Sequence, residues 1–583
     1  MHAWNTAESF NPAPFQVAVR DARPSAEGHV AGGWVYSTLI LLLLLSFASV
    51  ILGVFHQKIA GDEFIFLSNI YRAAYDEPLG LLQTAYVHVF GWLTKVEGGE
   101  IVQIRLARLI YVAIWGASLA LLYRLAGRLM DPLGALAAVV LFALFSPSVA
   151  NAASFRVDGL LLPLLLAAAL FLINPTCRRV AAAGAMAGLA LALTIKAVLW
   201  APALAGALAV GLWDSRGRFW PIIAGALATS LSFCGIMLVH SWLISSAATA
   251  VPELSSETVS WLGTYMLSGN GFFPKWSVFA NSVRENLITW SLLLLGLLLT
   301  LADLRRPHRR KSALVQLSLA LPLVSIAFYT NAFPYAYLIL FPTACLLAGR
   351  GFSHIANGLD KLRAVSVLAC LAAASLPLLM ITTYNLTDRQ EYQRKIISII
   401  HDLFRTPVHY IDVGGMVSSF PRSIFFMTDF GVIGYRERGE PVIATYIREE
   451  CPSLLIANRD LLEVWNGGAA DGLDPQLRFL PEDEEAIRAT YAHYWGQIYL
   501  AGRQWLDLKA GQVVPFEIAI SGDYTLLSEG PVAIDGRASP PGGRLTLAAG
   551  PHALRTVVRE PDLRILWGKN VKIPSEKPVA DFQ

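Results

Sequence analysis

Charge is scarce in this chain of 583 residues: Asp, Glu, Lys and Arg make up 15% of it, against about 25% in an ordinary soluble protein. Neither sign dominates. The 46 basic and 43 acidic residues leave a net charge of +3, too small to call for a polyanionic partner, and nucleic acid is excluded on that ground. Cysteine is scarce as well, with five residues in all. Cys234, Cys345 and Cys370 lie in apolar runs, Cys177 sits beside Arg178 and Arg179, and Cys451 stands alone near the C-terminal end. Without a CxxC pair or a Cys/His cluster, neither a disulfide framework nor a structural zinc site follows. No internal repeat or inverted symmetry of the transporter kind is visible. The first 33 residues contain no apolar stretch and read as a tail, not a cleavable signal.

What is abundant is apolar sequence, 55% of the chain. A membrane-crossing helix needs roughly 20 such residues. Runs of that kind fall near 35–55, 105–124, 132–147, 157–173, 180–195, 197–213, 220–243, 286–303, 313–329, 333–349 and 364–383, eleven in all. Lys and Arg collect in cytoplasmic loops. With the N-terminus inside, the inner segments hold Arg20, Arg23, Arg124, Arg128, Arg178, Arg179, Arg216, Arg218 and the cluster Arg305 to Lys311, while the outer loops hold few. Residues 180–213 are broken only by Lys196, yet both ends carry cytoplasmic-type arginines. Two short helices with Lys196 at an outer turn satisfy that parity.

The predicted organisation is a cytoplasmic tail at 1–33, a polytopic α-helical transmembrane domain at 34–383, a periplasmic α/β region at 384–504 and a periplasmic β-sandwich-like region at 505–583. Val408–Val413 and Ser453–Ala457 read as strands of the α/β unit. Alternation near Tyr524, Val532 and Leu545, with Gly and Pro turns between, reads as the antiparallel sandwich. Neither part carries a nucleophile motif or a phosphate loop, so binding or positioning is expected of them. The outer loop 244–285, rich in Ser, Gly and aromatics such as Trp261, Tyr265 and Trp276, suits the membrane interface.

Several ionisable and polar residues stand out against this apolar background. Asp62 and Glu63 follow the first span by a few residues. They are either solvated loop charges or carboxylates at the mouth of a cavity, serving as base or as ligands for a divalent cation such as magnesium, manganese or zinc. Arg156 and Asp158 open the fourth span, where charge is expensive; they form either a self-satisfied pair or a functional one. Lys196 either snorkels outward or holds a lipid-linked phosphate. Tyr335 and Tyr337 are interface anchors or hydrogen-bond donors to a substrate. Gln83 and His88 lie in the first outer loop, and Arg105 with Arg108 opens the second span.

Taken in order, these motifs resemble the GT-C superfamily of polyprenyl-phosphate-sugar-dependent glycosyltransferases, in the protein-mannosyltransferase-like branch that includes the lipid A aminoarabinose transferases. The resemblance covers roughly residues 35–350. It runs through Asp62-Glu63, Arg105-Leu106-Ala107-Arg108, Arg156-Val157-Asp158, the turn Leu193-Thr194-Ile195-Lys196 and the Tyr-rich segment Asn331 to Pro342. Two departures accompany it: Asp76-Glu77-Pro78-Leu79 replaces a longer Lys- and Pro-containing motif, and Ala197 stands where Gly is common. The resemblance implies a GT-C-like fold of about eleven spans in a bacterial inner membrane. It implies inverting transfer of a sugar from a polyprenyl-phosphate donor to a lipid, polysaccharide or protein acceptor on the periplasmic side. Asp62 would be the base or acceptor-orienting carboxylate, and Glu63 its partner or a cation ligand. Lys196 would neutralise the donor phosphate with Arg156 or Arg105, and Asp158 would orient an acceptor hydroxyl or Arg156. Tyr335, Tyr337 and His88 would complete the substrate-binding set, with loop 244–285 as a lid. A polysaccharide polymerase or ligase, a lipid or saccharide transporter, and a catalytically inactive assembly protein are the alternatives.

Overall fold

The computed structural model describes residues 26–77, 79–213, 219–244, 272–357, 361–422, 424–425, 427–465 and 477–578. Most of the expected tail, and residues 245–271 of the expected lid, lie outside the described residues. Four described helices are long and apolar enough to cross a membrane: Gly33–His56, Gly99–Ala126, Phe219–Ile244 and Ala364–Asn385. Two further pairs qualify only when each is taken as one bent span, Trp276–Glu285 with Leu287–Asp303 at 92° and Pro334–Leu340 with Cys345–Ala356 at 72°. The other five predicted spans correspond to shorter helices of 11 to 17 residues: Pro132–Leu144, Val157–Leu172, Cys177–Leu193, Ala201–Gly211 and Pro307–Leu319. Among the described residues, four helices are thus long and apolar enough to cross a membrane, or six if each bent pair is one span; the sequence pattern predicts eleven.

The breaks have local causes. Pro342 interrupts the Tyr-rich segment because it offers no N–H and its ring crowds the preceding turn. Thr194 adopts φ −166° and ψ 145°, ending one helix. Its hydroxyl accepts from the Lys196 N–H at 3.4 Å and opens the 3-10 turn Ile195–Trp200. Lys196 therefore sits in a turn between two short helices. Irregular backbone in an apolar protein is tolerated where it lines a cavity, and at the second of these breaks Lys196 lines one.

Helices approach closely through small residues, since lipid gives apolar side chains no preference for protein. A Cβ on Gly184 would run into the Gly225 carbonyl, and one on Gly296 into the Leu347 carbonyl. Arg124, Arg128 and Arg179, three of the basic residues expected on one side, share a cavity with Asn174 beyond the C-terminal end of Val157–Leu172. The candidate site lies at the opposite end of that helix, about 24 Å away along a 16-residue rise.

The C-terminal third carries eleven described strands: β1 (Tyr410–Ile411), β2 (Leu454–Ile456), β3 (Tyr491–Trp495), β4 (Ile498–Leu508), β5 (Val513–Ile518), β6 (Gly522–Leu527), β7 (Val532–Ile534), β8 (Arg537–Ser539), β9 (Arg544–Leu547), β10 (Gly550–Thr556) and β11 (Glu560–Trp567). One sheet runs β1-β2-β4-β11-β6-β9 with β3 also on β4; the other runs β5-β10-β7-β8. Leu526, Leu554, Leu563 and Ile565 fill the space between them with no exposed surface. The β7–β8 hairpin turns on Asp535 and Gly536 at φ 51° and 79°, the left-handed pair that an Asp-Gly turn supplies. β4 pairs with β2 and β3 through residues 498–501 and with β11 through 502–508. The predicted boundary at 504/505 therefore falls inside one strand, and the two regions share a continuous sheet.

This part is fastened to the membrane-type helices by buried polar bonds. Gln393 donates to and accepts from the Ile59 backbone at 2.9 Å each. Gln390 donates to the Gln57 carbonyl at 2.8 Å and accepts from Arg105 Nε at 2.8 Å. His401 meets the Glu100 carboxylate at 3.1 Å, and Ser419 donates to the same group at 2.6 Å. The hydrogen bond to Glu100 raises the His401 imidazole above its ordinary value of 6.5. A raised folded value means that this contact contributes fully below pH 6.5 and is lost as pH rises through the raised His401 value. The thermal midpoint of the detergent-solubilised protein should exceed that of His401→Gln at about pH 5.5, with the gap closing towards about pH 9. A gap of constant size would reject this linkage.

Candidate active site

The site is assembled from two helix starts and two 3-10 turns. Asp62 lies in the first turn of Gly61–Ala74, where a carboxylate is favoured by the helix dipole. Arg156 caps Val157–Leu172, and Asp158 sits in that helix's first turn. Lys196 comes from the turn after Thr194, and Tyr335 from the 3-10 turn Pro334–Ala336. Asp158, whose side chain is 2% exposed, accepts from Lys196 Nζ at 2.9 Å and from Arg156 Nε at 3.4 Å. Arg156 also pairs with Asp62, whose side chain is 40% exposed. The Tyr335 ring lies beneath both cations, with Arg156 Cζ 3.6 Å and Lys196 Nζ 4.7 Å from its centroid. Both distances are within cation–π range. The result is an alternating row, Asp62–Arg156–Asp158–Lys196, buried at the lysine end and open to solvent at Asp62.

The open end faces a cavity of about 660 Å³ lined by Asp62, Arg156, Lys196, Gln83, Asn331 and Tyr335. Its other wall belongs to the C-terminal third: Val413, Gly414, Met416, Asp429, Asn458 and Arg459. A Cβ on Gly414 would stand 3.3 Å from the Gly61 carbonyl, so that loop rests almost directly on the start of the Asp62 helix. Asp412 holds the loop in shape, accepting from Gly415 N at 2.8 Å, Met416 N at 2.7 Å and Arg422 Nε at 3.1 Å.

The other predicted site residues lie elsewhere. Glu63 does not partner Asp62. Its side chain is 1% exposed and takes Arg108 Nε at 2.8 Å and Nη2 at 2.6 Å, with the Phe155 N–H at 2.9 Å and the Ala60 N–H at 3.1 Å. Such a fully answered carboxylate is a structural tie between the first loop, the second long helix and the approach to Arg156. Asp62 and Glu63 thus go to different arginines and do not fit a cation between them. Among the described residues no group of three or more His, Cys, Asp or Glu side chains could hold a metal ion. Asp158 addresses Arg156, one of the two partners expected for it, together with Lys196, and it is not among the residues that line the cavity. Arg105 binds Gln390 and the Phe55 carbonyl, away from any phosphate position at Lys196. His88 Nε2 faces His240 Nδ1 at 2.7 Å and does not line the cavity. Tyr337 is buried, with its ring near Phe145.

Sequence reasoning did not single out Asn331 as a site residue, the partnership of Arg108 with Glu63, or the wall from the C-terminal third. Arg108 stood in the motif but its partner did not, and Asn458 and Arg459 carry no local signal at all.

No protein-family model matches the chain, and no curated protein is similar to it in sequence. Solved structures are similar in fold. ArnT from Cupriavidus metallidurans bound to undecaprenyl phosphate superposes with a TM-score of 0.51 at 14% identity, over 73% of this chain and 93% of its own. The oligosaccharyltransferase of Archaeoglobus fulgidus in the apo form gives 0.53 at 10% identity, over 90% of this chain and 94% of its own. The same archaeal protein, AglB, in complex with an inhibitory peptide and a dolichol-phosphate gives 0.51 at 10% identity, over 93% and 98%. These are GT-C superfamily members, and the chain shares their fold.

Removing Arg108 would leave Glu63 charged and buried without its counter-ion, at a cost of roughly 3–5 kcal/mol. Arg108→Ala should therefore lower the thermal midpoint sharply, and Arg108→Leu combined with Glu63→Leu should recover much of it. Equal midpoints for Arg108→Ala and the wild type would show that the pair is dispensable.

Proposed function

We propose that the protein is a membrane glycosyltransferase that moves a sugar, with inversion, from a polyprenyl-phosphate donor to a cell-envelope acceptor at the periplasmic face of a bacterial inner membrane. The observation that carries this reading is the pairing, in one cavity, of two buried cations stacked on Tyr335 with a solvent-reached carboxylate, Asp62. ArnT and AglB, which share the fold, have undecaprenyl phosphate and a dolichol-phosphate bound in their solved structures. That supports a polyprenyl phosphate as the ligand here.

Chemistry follows from the row of charges. Asp158 is shared by Lys196 and Arg156, so the two cations are only half neutralised by it; Asp62 supplies the rest. A donor phosphate, which accepts but never donates when ionised, competes with Asp62 for the Arg156 guanidinium and binds it in a fork. Asp62 is thereby released from its ion pair to face an acceptor hydroxyl. The acceptor oxygen attacks the anomeric carbon from the face opposite the phosphate, its proton passes to Asp62, and the carbon–oxygen bond to phosphate breaks. Polyprenyl phosphate leaves with the bonding electron pair, its charge answered by Lys196 and Arg156. Tyr335 holds both cations in place through the change. The Asp429, Asn458 and Arg459 wall faces this reaction space from the C-terminal third and is positioned to hold the acceptor.

A general base typically contributes about 10²–10⁴-fold. In nanodiscs supplied with radiolabelled polyprenyl-phosphate sugars, Asp62→Asn should lower turnover by about that factor with donor binding retained. Lys196→Ala should chiefly raise the donor KM. Folded wild-type protein that releases label from no donor would overturn the reading.

A further inference from the structure

Among the groups that line the cavity, Asn331 is exceptional. Its side chain lies in a residue 1% exposed, yet neither Nδ2 nor Oδ1 has a hydrogen-bond partner within the described protein. Burying a polar group without a partner is costly, and Asn331 leaves two such atoms bare. Orphaned buried polar groups in native structures call for a specific explanation. Here the backbone keeps the residue where it is: its carbonyl accepts from the Phe333 N–H at 2.8 Å, closing the turn that leads into Tyr335. Other orphaned side-chain atoms nearby in sequence, such as the Tyr337 and Thr343 hydroxyls, do not line the cavity. A second carboxamide reaches it from the first loop. Gln83 does so from φ 64°, a left-handed conformation that costs a non-glycine residue, with its Oε1 taken by the Thr194 hydroxyl at 3.1 Å.

What Asn331 wants follows from its chemistry. A carboxamide offers donors at nitrogen and an acceptor at oxygen, and because both ends are bare the argument is indifferent to which way the amide is turned. A phosphate would satisfy the nitrogen only, and an ammonium the oxygen only. A hydroxyl donates and accepts, so one or two adjacent ring hydroxyls answer both ends at once. In that reading phosphate has its partners in Lys196 and Arg156, which line the same cavity.

Resting on the glycosyltransferase reading, we infer that Asn331 is a sugar-reading residue: it hydrogen-bonds ring hydroxyls of the donor's glycosyl group while the cations hold its phosphate. The donor sugar is accordingly a neutral, hydroxyl-bearing one at the edge that faces Asn331, not one that presents an amine there. A site built to hydrogen-bond a hydroxyl discriminates strongly against an analogue that lacks it, because the protein groups are then left bare again.

Binding in nanodiscs tests this with undecaprenyl phosphate, which has no sugar, beside undecaprenyl-phosphate mannose, glucose and arabinose. Asn331→Leu should bind undecaprenyl phosphate within about two-fold of wild type, yet bind the preferred sugar-bearing donor about tenfold more weakly, the worth of roughly one to two neutral hydrogen bonds. Its thermal midpoint should match or exceed that of wild type, since an apolar side chain of similar size removes the bare polar atoms. Asn331→Ser, smaller and still polar, should lose part of the same discrimination and serves if the leucine variant does not fold. Equal weakening towards sugar-free and sugar-bearing ligands in either variant would overturn the inference and place Asn331 on the phosphate. Unchanged affinity for all ligands would overturn it too, leaving a trapped water only. Failure of the wild type to bind any of these lipids would instead remove the reading of the site on which the inference rests.

Discussion

One buried carboxylate holds the site together. Asp158 places a negative charge between Lys196 and Arg156, two cations that would otherwise repel each other in a setting too dry to screen them. Taking either partner from such an arrangement leaves an uncompensated charge, typically at several kcal/mol. Arg156 reaches Asp62 with its Nε anchored at Asp158, and Tyr335 underlies both cations where Asp158 holds them side by side. The helix breaks make sense in this light. A chain that must deliver an arginine, an aspartate, a lysine and a tyrosine to one depth ends its helices there.

Much of this was legible in the linear sequence. Charges are so few that those inside apolar runs announce themselves, and Asp62, Arg156, Asp158, Lys196 and Tyr335 do converge. Charge parity on either side of a single apolar run predicts a turn at Lys196, and the structure breaks that run at Thr194. Strands at 408–413, 453–457 and around Tyr524, Val532 and Leu545 showed themselves by alternation and turn residues.

What was not legible depends on contacts far apart in the chain. Adjacent carboxylates look alike, yet successive residues at a helix start point in different directions, so Asp62 meets the cavity and Glu63 meets Arg108, 45 positions away. Arg105 and Arg108 look equivalent as well; three residues around a helix sends one to Gln390 and the other to Glu63. Where each helix ends was not legible for a related reason: hydropathy sums apolar residues without seeing the proline or the extended threonine that divides them, so the apolar runs resolve into helices of 11 to 17 residues and bent pairs as well as long helices.

The strand β4 carries a consequence of another kind. Its first residues belong to the sheet that includes β1 and β2, its last to the sandwich through β11, and no linker separates them. Tandem domains joined by a loop can be shuffled, lost or replaced separately during evolution. These two cannot, because any recombination point at their junction would sever a shared strand and split the continuous sheet that joins them. The wall that closes the cavity and the distal sandwich are therefore inherited as a single heritable block, and divergence in the sandwich is constrained by a site it never touches.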